Sequence, residues 1–332
     1  MASRLGRDPL QIQGPGGNVS LKSDGAMWVK ASGTWLADAE KEDIFAAVDG
    51  RGLKAALRSG DPRAKTPELF PAAPGLRPSI ETTFHAALDA PVVIHTHCVA
   101  TIAHSVVGSI PGLEDLDVVQ VPYAMPGIDL ARAVLAEWRS GTRAAVLANH
   151  GLITTGATVA EAEALLREIT HRVGQQPVPA SRPAPQLGSV VRGSGWKALG
   201  PGATTALAFD NARARLACDV ALFPDQVIFL GPSPMLYPPS SRFPGATASP
   251  DRPVNSLAIL EGLGAAVPET ASPAAIALAE MMGEVVFRIP PDQDITRLNE
   301  KDVSDLLGWD AEKYRQALEK ERALRHAGNT TP

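Results

Sequence analysis

The spacing of apolar residues alternates along the chain between a strand-like and a helix-like period. β-Branched and alternating stretches predict strands over 26–32, 91–97 and 226–231, and two short strands over 144–156 that meet at His150 and Gly151. Apolar residues three and four positions apart predict helices over 79–89, 158–173, 204–217, 273–286 and 300–323. Thr158 followed by Glu161 predicts a capping box at the start of the second of these helices. The chain is therefore expected to be an α/β protein.

A proline-rich segment divides this pattern into two parts. Residues 174–189 read GQQPVPASRPAPQLGS, a composition that disfavours helix and strand and gives a semi-extended linker. The expected domains are 1–173 and 190–332, joined by the linker 174–189. A second stretch rich in Pro, Ser and Gly, Gly231–Pro253, predicts a long loop within the C-terminal part.

Composition excludes several classes of protein. The length of 332 residues favours two domains, and a chain with 45% hydrophobic and 20% charged residues can bury a core. A net charge of -5 without a basic stripe predicts neither a nucleic-acid partner nor a membrane partner. Two cysteines, the lack of a secretory h-region in the first residues, and the lack of a long apolar run predict a cytoplasmic location.

Two histidines one residue apart interrupt the predicted strand 91–97 where a core strand would carry Val or Ile. Side chains alternate in a strand, so His95 and His97 lie on one face and could bind a single ion. His150 is the best candidate for a third ligand, because the glycine after it allows a close approach. His85 and His104 are candidates for supporting groups. Paired histidines on a strand are also common as hydrogen-bonded core residues, and this alternative stays open.

Two short glycine-containing stretches suit an anion. GPGGNVS at 14–20 places free backbone N–H groups in a turn before a strand, and KASGT at 30–34 ends a strand with a hydroxyl and a glycine. Each stretch is equally compatible with an ordinary turn. Together with the histidines, they favour a site for a small, negatively charged molecule.

The chain resembles the class II aldolase/adducin family over about residues 5–173. Five stretches carry the resemblance, in this order along the chain: GPGGNVS, VKASGT, PSIE, HTH and NHG. The resemblance implies a class II aldolase-like α/β/α sandwich with a central, mainly antiparallel sheet. The C-terminal part is expected to be a smaller α/β domain. Its ALFPDQVIFLGP and LLGWDAEKYRQ stretches resemble the segment that follows the aldolase module in bifunctional aldolase/short-chain dehydrogenases.

The resemblance also implies roles for individual residues. His95, His97 and His150 would bind a divalent metal, Zn2+ or else Mn2+, Co2+ or Ni2+, and Glu81 would be the catalytic acid/base. A glutamate in the first turn of a helix is also favoured by the helix dipole alone. The residues that would contact the substrate or its phosphate are Gly17, Asn18, Ser32, Gly33 and Ser79.

The chain also departs from the aldolase pattern. Ile80 stands where many aldolases have a second serine, and the tyrosine that aldolases contribute from a neighbouring subunit has no match. Lys30 or Arg77 could supply a charge for the phosphate instead. These differences affect the expected binding of the substrate more than the expected binding of the metal.

The implied function is a metal-dependent aldolase that cleaves a ketose or ketose phosphate through a metal-stabilised enediolate. In this reaction Glu81 moves a proton, for which we expect burial to raise its pKa. A 3-oxo sugar-acid decarboxylase is the alternative enzyme, and an adducin-like interaction module without metal is the alternative of another class. The expected partners are a small sugar or sugar phosphate and further copies of the chain, with a homo-tetramer favoured.

Overall fold

A computed structural model describes residues 1–174, 176–219, 221–239, 243, 257–290, 293–309, 314 and 317–318. The chain divides into two compact units, Met1–Gln175 and Gln176–Pro332. Residues 176–189 of the predicted linker belong to the second unit. Within them, the amide of Ala184 donates to the carbonyl of Leu263 (2.7 Å), and Leu187 is buried at the start of a helix. The predicted domain limits 1–173, 174–189 and 190–332 stay a prediction.

The first unit contains one seven-stranded sheet with helices on both sides. Its strands are β1 Asn18–Ser23, β2 Ala26–Lys30, β3 Phe45–Val48, β4 Val92–Thr96, β5 Val118–Val121, β6 Ala144–Leu147 and β7 Gly151–Gly156. Its helices are α1 Ala2–Gly6, α2 Gly50–Ser59, α3 Thr82–Ala87, α4 Val99–Ser105, α5 Ile128–Glu137 and α6 Val159–Val173. Short 3-10 helices lie at Leu36–Asp38, Pro62–Lys65 and Pro67–Leu69. The strand order is β3-β2-β1-β4-β7-β6-β5, and all neighbours are antiparallel except β5 and β6.

The central strand β4 separates two apolar cores. Val92 and Ile94 pack on the side covered by α1, α4 and α6, and Val93 packs on the side covered by α2, α3 and α5. Each fully buried Val or Ile stabilises the fold by about 1.5–3 kcal/mol. A slip of one residue would exchange the two faces, so this alternation fixes the register of β4 and with it the face on which His95 lies.

Most of the elements predicted for the first unit are confirmed, with shifted ends. The strand predictions correspond to β2, β4, and the pair β6 and β7. In α6, Thr158 Oγ1 accepts from the amide of Glu161 (3.2 Å), but the Glu161 carboxylate accepts from Ala157 (2.9 Å) rather than from Thr158. The helix predicted over 79–89 is shorter, Thr82–Ala87, because Ser79 donates its amide to the carbonyl of Lys30 (3.2 Å) and stays in a turn.

The second unit is a smaller α/β unit with a four-stranded sheet, as the fold-class prediction requires. Its strand order is β8-β11-β10-β9, with β9 and β10 parallel. The strands are β8 Trp196–Ala198, β9 Met235–Tyr237, β10 Ala258–Leu260 and β11 Gly264–Pro268. The helices are α7 Leu187–Val191, α8 Ala203–Leu207, α9 Asn211–Asp219, α10 Pro224–Leu230, α11 Pro273–Arg288 and α12 Glu300–Gly308.

One secondary-structure prediction in this unit is wrong. The predicted strand 226–231 lies in helix α10, which begins with Pro224 at its first position and is buried along its whole length. A short apolar run buried on every side has no period that separates strand from helix. The helix predicted over 204–217 is interrupted between α8 and α9, and α11 confirms the helix over 273–286. The helix predicted over 300–323 is described only to Gly308 as α12, and most of the loop predicted over Gly231–Pro253 lies outside the described residues.

No helix in the described part of the chain has both the length and the apolar character needed to cross a bilayer.

The turn between β6 and β7 approaches β4 very closely. Asn149 is buried with a positive φ of 58°, and its amide donates to Ser105 Oγ (3.0 Å). Gly151 follows with φ 153°, and a Cβ built on it would overlap the carbonyl oxygen of Thr96. The turn can therefore keep its place against β4 only if residue 151 has no side chain.

We expect Gly151→Ala to lower the free energy of unfolding by more than about 1 kcal/mol, because the new methyl group would meet backbone that cannot move aside. Urea denaturation measures this change. Gly75→Ala is the control, since a Cβ at position 75 meets no atom within 4 Å. Equal stability of the two variants would contradict the close approach.

Candidate metal centre

Four side chains from three parts of the first unit meet in one buried space. Their ligand atoms lie within 4.8 Å of one another. His95 lies on β4 and His97 just beyond its end, His150 lies in the turn before β7, and Glu81 directly precedes α3. The ring centroids of the three histidines are 5.0 Å apart in each pair. The structure thus brings together the three histidines and the glutamate singled out in the sequence.

His95 is held in the form that binds metals. Its Nδ1 lies 3.1 Å from the carbonyl oxygen of Leu152, which can only accept, so the ring proton is on Nδ1. Burial lowers the pKa of His95 to about 3, although Glu81 acts in the opposite direction, and the ring is neutral near pH 7. Its Nε2 lone pair faces the cluster and makes no hydrogen bond to any described residue. A backbone carbonyl on one nitrogen and a free lone pair on the other are typical of a metal-binding histidine.

Glu81 is buried against two of these rings. Its Oε1 lies 3.2 Å from His150 Nε2, and its Oε2 lies 3.6 Å from His95 Nε2 and accepts from Asn18 Nδ2 (2.7 Å). Burial raises the pKa of the Glu81 carboxyl, but the positive charge that His95 carries when protonated and the hydrogen bond from His150 lower it by more, and the pKa lies well below its ordinary value. The expectation of a raised pKa is therefore wrong. The reason is that the imidazoles contact both carboxylate oxygens.

These side chains fit a divalent ion. Zinc and its neighbours bind imidazole nitrogen and carboxylate oxygen, and such sites commonly contain three protein ligands. His95 Nε2 and Glu81 Oε1 are buried without a well-directed hydrogen bond from a described residue. Buried polar atoms left in this way cost free energy, which a cation between them would offset. The cluster is typical of a metal site.

Three of the predicted substrate contacts adjoin the cluster. Asn18 pairs with His95 across β1 and β4, and its Nδ2 also lies 3.4 Å from Ser79 Oγ. Ser79 Oγ in turn accepts from the amide of Glu81 (3.3 Å). Gly17 has φ 59°, and a Cβ there would overlap Ile12 Cδ1 and lie 2.9 Å from the carbonyl oxygen of His95. Only glycine brings the turn this close to β4.

The other two predicted contacts, Ser32 and Gly33, lie in the loop after β2, where the Ser32 amide donates to the carbonyl of Arg77 (2.9 Å). Lys30 joins this loop to the glycine-rich turn, since its buried Nζ donates to the carbonyls of Pro15 and Thr34, both at 2.8 Å. The sequence analysis missed this connection, although a lysine at the end of an apolar strand was a signal that carbonyl partners would be needed.

The two cations and the two further histidines that the sequence analysis considered near the site contact other groups of the first unit. Arg77 forms an ion pair with Glu68 (2.8 Å), so both cations considered for a phosphate, Lys30 and Arg77, contact other groups. The polar groups near His104 are the backbone of Val173 and of Ser109, whereas His85 contacts Asn18. Of the two candidate supporting histidines, His85 is therefore the one that contacts a side chain of the site, because Asn18 in turn holds Glu81.

Comparison with known proteins identifies the family to which this site belongs. The model of the class II aldolase and adducin N-terminal domain matches residues 4–176, just over half of the 332 residues. No curated protein matches the chain. Similar solved structures include the N-terminal class II aldolase domain of a conserved protein from Thermoplasma acidophilum. The two sequences are 28% identical, the alignment covers 52% of this chain and 88% of that chain, and the TM-score is 0.45.

Two further structures are more distant. They are L-fuculose-1-phosphate aldolase from Thermus thermophilus (18% identity, 52% and 89% covered, TM-score 0.37) and a sugar-phosphate aldolase from Thermotoga maritima (15% identity, 53% and 94% covered, TM-score 0.35). The family assignment depends on the family model, which spans the whole sheet and all four side chains of the buried cluster. The chain belongs to the class II aldolase/adducin family.

Proposed function

We propose that the protein is a divalent-metal-dependent carbon–carbon lyase of the class II aldolase type, which cleaves a ketose or a ketose phosphate. The observation that carries this proposal is the buried cluster of Glu81, His95, His97 and His150 in a chain of this family. The family also includes interaction modules of the adducin type, which have no use for such a cluster. Three imidazoles and a carboxylate buried around one space favour an enzyme.

His95, His97 and His150 would hold the ion, which we propose to be Zn2+ or else Mn2+, Co2+ or Ni2+. When bound, such an ion acts as a Lewis acid that stabilises negative charge on the substrate's carbonyl oxygen as the carbon–carbon bond breaks. The neutral ring of His95 can serve as a ligand near pH 7 without first losing a proton from Nε2. The buried position of all three rings keeps water away from that charge.

Glu81 would transfer the proton. Its carboxylate takes a proton from the substrate carbon in the direction of bond formation, and the carboxylic acid returns it in the direction of cleavage. Asn18 holds Oε2 of this carboxylate (2.7 Å), and Ser79 Oγ accepts from the Glu81 amide (3.3 Å), so the group has a defined orientation. A proton donor fixed in this way needs little rearrangement during the reaction.

The oxygen-rich end of the substrate would lie along the two loops that Lys30 connects. Gly17 (φ 59°) and Gly33 (φ 73°) both have the left-handed backbone conformation found in loops whose N–H groups bind anions. The hydroxyl groups of Ser32 and Ser79 add donors, and Asn18 lies between these loops and the cluster. This arrangement supports a polyhydroxylated or phosphorylated substrate.

A decarboxylase of a 3-oxo sugar acid is the second candidate, and Ile80 is the observation that favours it. Ile80 follows Ser79 where many aldolases have a second serine, so one hydroxyl donor for a phosphate is missing. Loss of carbon dioxide from such an acid places the same negative charge beside the cluster. A panel of ketose phosphates and 3-oxo sugar acids separates the two reactions.

The role of the second unit is a separate proposal. Its resemblance to the segment after the aldolase module of bifunctional aldolase/dehydrogenases is the reason to propose an accessory role for it. The helix α10 within ALFPDQVIFLGP supports a packing role for that stretch, because all seven of its residues are buried.

The metal is the first requirement of the proposal. We expect the purified protein to carry about one divalent ion per chain, and His97→Ala or His150→Ala to remove most of it, because each change deletes one of three nitrogen ligands. Elemental analysis measures the content. His171→Ala, at an exposed histidine of α6, is the control and should keep the ion. Full metal content in the His97 and His150 variants would contradict the assignment.

Glu81→Gln separates three roles for this residue. If Glu81 is the acid/base, we expect turnover on the substrate found with the panel to fall by on the order of 10²–10⁴-fold. Metal content and melting temperature should change little. A metal ligand would instead lower the metal content, and a residue that only favours the helix would cost under about 1 kcal/mol and leave turnover intact. Glu42→Gln, an exposed change, is the control.

We also propose a homo-oligomer, with a tetramer favoured by the family resemblance. Leu21 and Trp28 support it, because they are cross-strand partners on β1 and β2 and each is 45% exposed. Sedimentation velocity at micromolar concentration should show an assembly larger than one chain. A single monomeric species at that concentration would refute this proposal.

A further inference from the structure

A second buried group of polar side chains lies directly behind Glu81. His85 follows Glu81 by one helical turn on α3 and is completely buried. Its Nδ1 lies 2.8 Å from Ser20 Oγ, and its Nε2 is in short contact with Asn18 Oδ1. Asn18 then donates from Nδ2 to Glu81 Oε2 (2.7 Å). A continuous chain of hydrogen bonds therefore runs from Ser20 through His85 and Asn18 to the carboxylate.

The acceptors in this chain determine where each proton lies. A carboxylate oxygen only accepts, so Asn18 must present its amide nitrogen to Glu81 and its amide oxygen to His85. That oxygen also only accepts, so His85 must carry its proton on Nε2. The Nδ1 of His85 is then an acceptor for the hydroxyl of Ser20. Burial lowers the pKa of His85 well below its ordinary value, which agrees with a neutral ring that has a single N–H.

We infer that His85 is a positioning residue, which fixes the side-chain amide of Asn18 and, through it, the orientation of the Glu81 carboxylate. The backbone of Asn18 is already held opposite His95 by the pairing of β1 with β4, so only its side-chain torsions are left to be fixed. With His85 in place, the amide has one orientation in which both of its ends are satisfied. Without the Nε2 donor, the buried Asn18 oxygen loses its partner and the amide can rotate away from Glu81.

Only the expected effect of His85 on turnover rests on the proposed function. If Glu81 is the acid/base, a misdirected carboxylate transfers the proton more slowly while substrate and metal still bind. The orientation of Asn18 is a property of the chain and can be measured without a substrate. Failure of the proposed function and failure of this inference are therefore distinguishable.

Two substitutions at one position test the donor. His85→Gln keeps an amide N–H close to the place of Nε2, and His85→Leu fills a similar volume without any donor. We expect His85→Leu to lower kcat by about 10- to 100-fold, with KM and metal content little changed, and His85→Gln to restore most of kcat. His104→Leu is the control, because it removes another buried histidine, whose polar neighbours are the backbone of Val173 and of Ser109 rather than a side chain of the site.

Nuclear magnetic resonance of the metal-free protein gives the second readout. In the wild type, the ring nitrogens of His85 should show the Nε2–H form, and the side-chain amide protons of Asn18 should exchange slowly with water. In His85→Leu these amide protons should exchange faster, and His85→Gln and His104→Leu should keep them protected. The wild-type measurement decides the tautomer even if the leucine variant does not fold.

Several results would overturn the inference. One is an Nδ1–H form of His85 in the wild type, and another is unchanged Asn18 amide protection in His85→Leu. Equal loss of kcat in His85→Leu and His85→Gln would also overturn it, since a role in packing alone does not depend on the donor. If the wild type turns over no member of the substrate panel, the proposed function is refuted, and the resonance data alone confirm or refute the role of His85.

Discussion

Burial of one carboxylate together with three imidazole rings is the constraint on which the rest of the first unit depends. Polar groups in such a space are costly unless each has a partner, and the surrounding structure supplies most of those partners. Leu152 holds Nδ1 of His95, Asn18 holds one oxygen of Glu81, and the turn before β7 brings in His150. One ligand atom from each of the four side chains lies within 4.8 Å of the others, so that together they could bind a cation.

The sheet makes this arrangement possible because β4 lies at its centre. Val92, Val93 and Ile94 pack into the two apolar cores and fix the register of β4. His95 therefore has a fixed position along the strand and lies on a fixed face of the sheet. On either side β1 and β7 bring Asn18 and the turn containing His150 to the same edge. Gly17 and Gly151 are required there, since a Cβ at either position would overlap neighbouring atoms.

Much of this could be predicted from the sequence, because the signals are local. Alternation predicts β4 and the face shared by its two histidines, and the glycine after His150 marks a close approach. What could not be predicted depends on residues far apart in the chain. The lowered pKa of Glu81 arises from rings 14 and more positions away, and the contact between His85 and Asn18 joins residues separated by 67 positions. The strand predicted in place of helix α10 was wrong because burial on all sides removes any period.

X-ray absorption at the zinc edge, on protein loaded with one equivalent of Zn2+, tests the proposed metal centre most directly. Three histidine ligands predict a first shell of nitrogen and oxygen at about 2.0–2.1 Å, with the outer scattering of three imidazole rings. Replacing His95 by alanine should remove one ring from that signal. A shell of oxygen alone without ring scattering, or a sulfur ligand at about 2.3 Å, would contradict this metal centre.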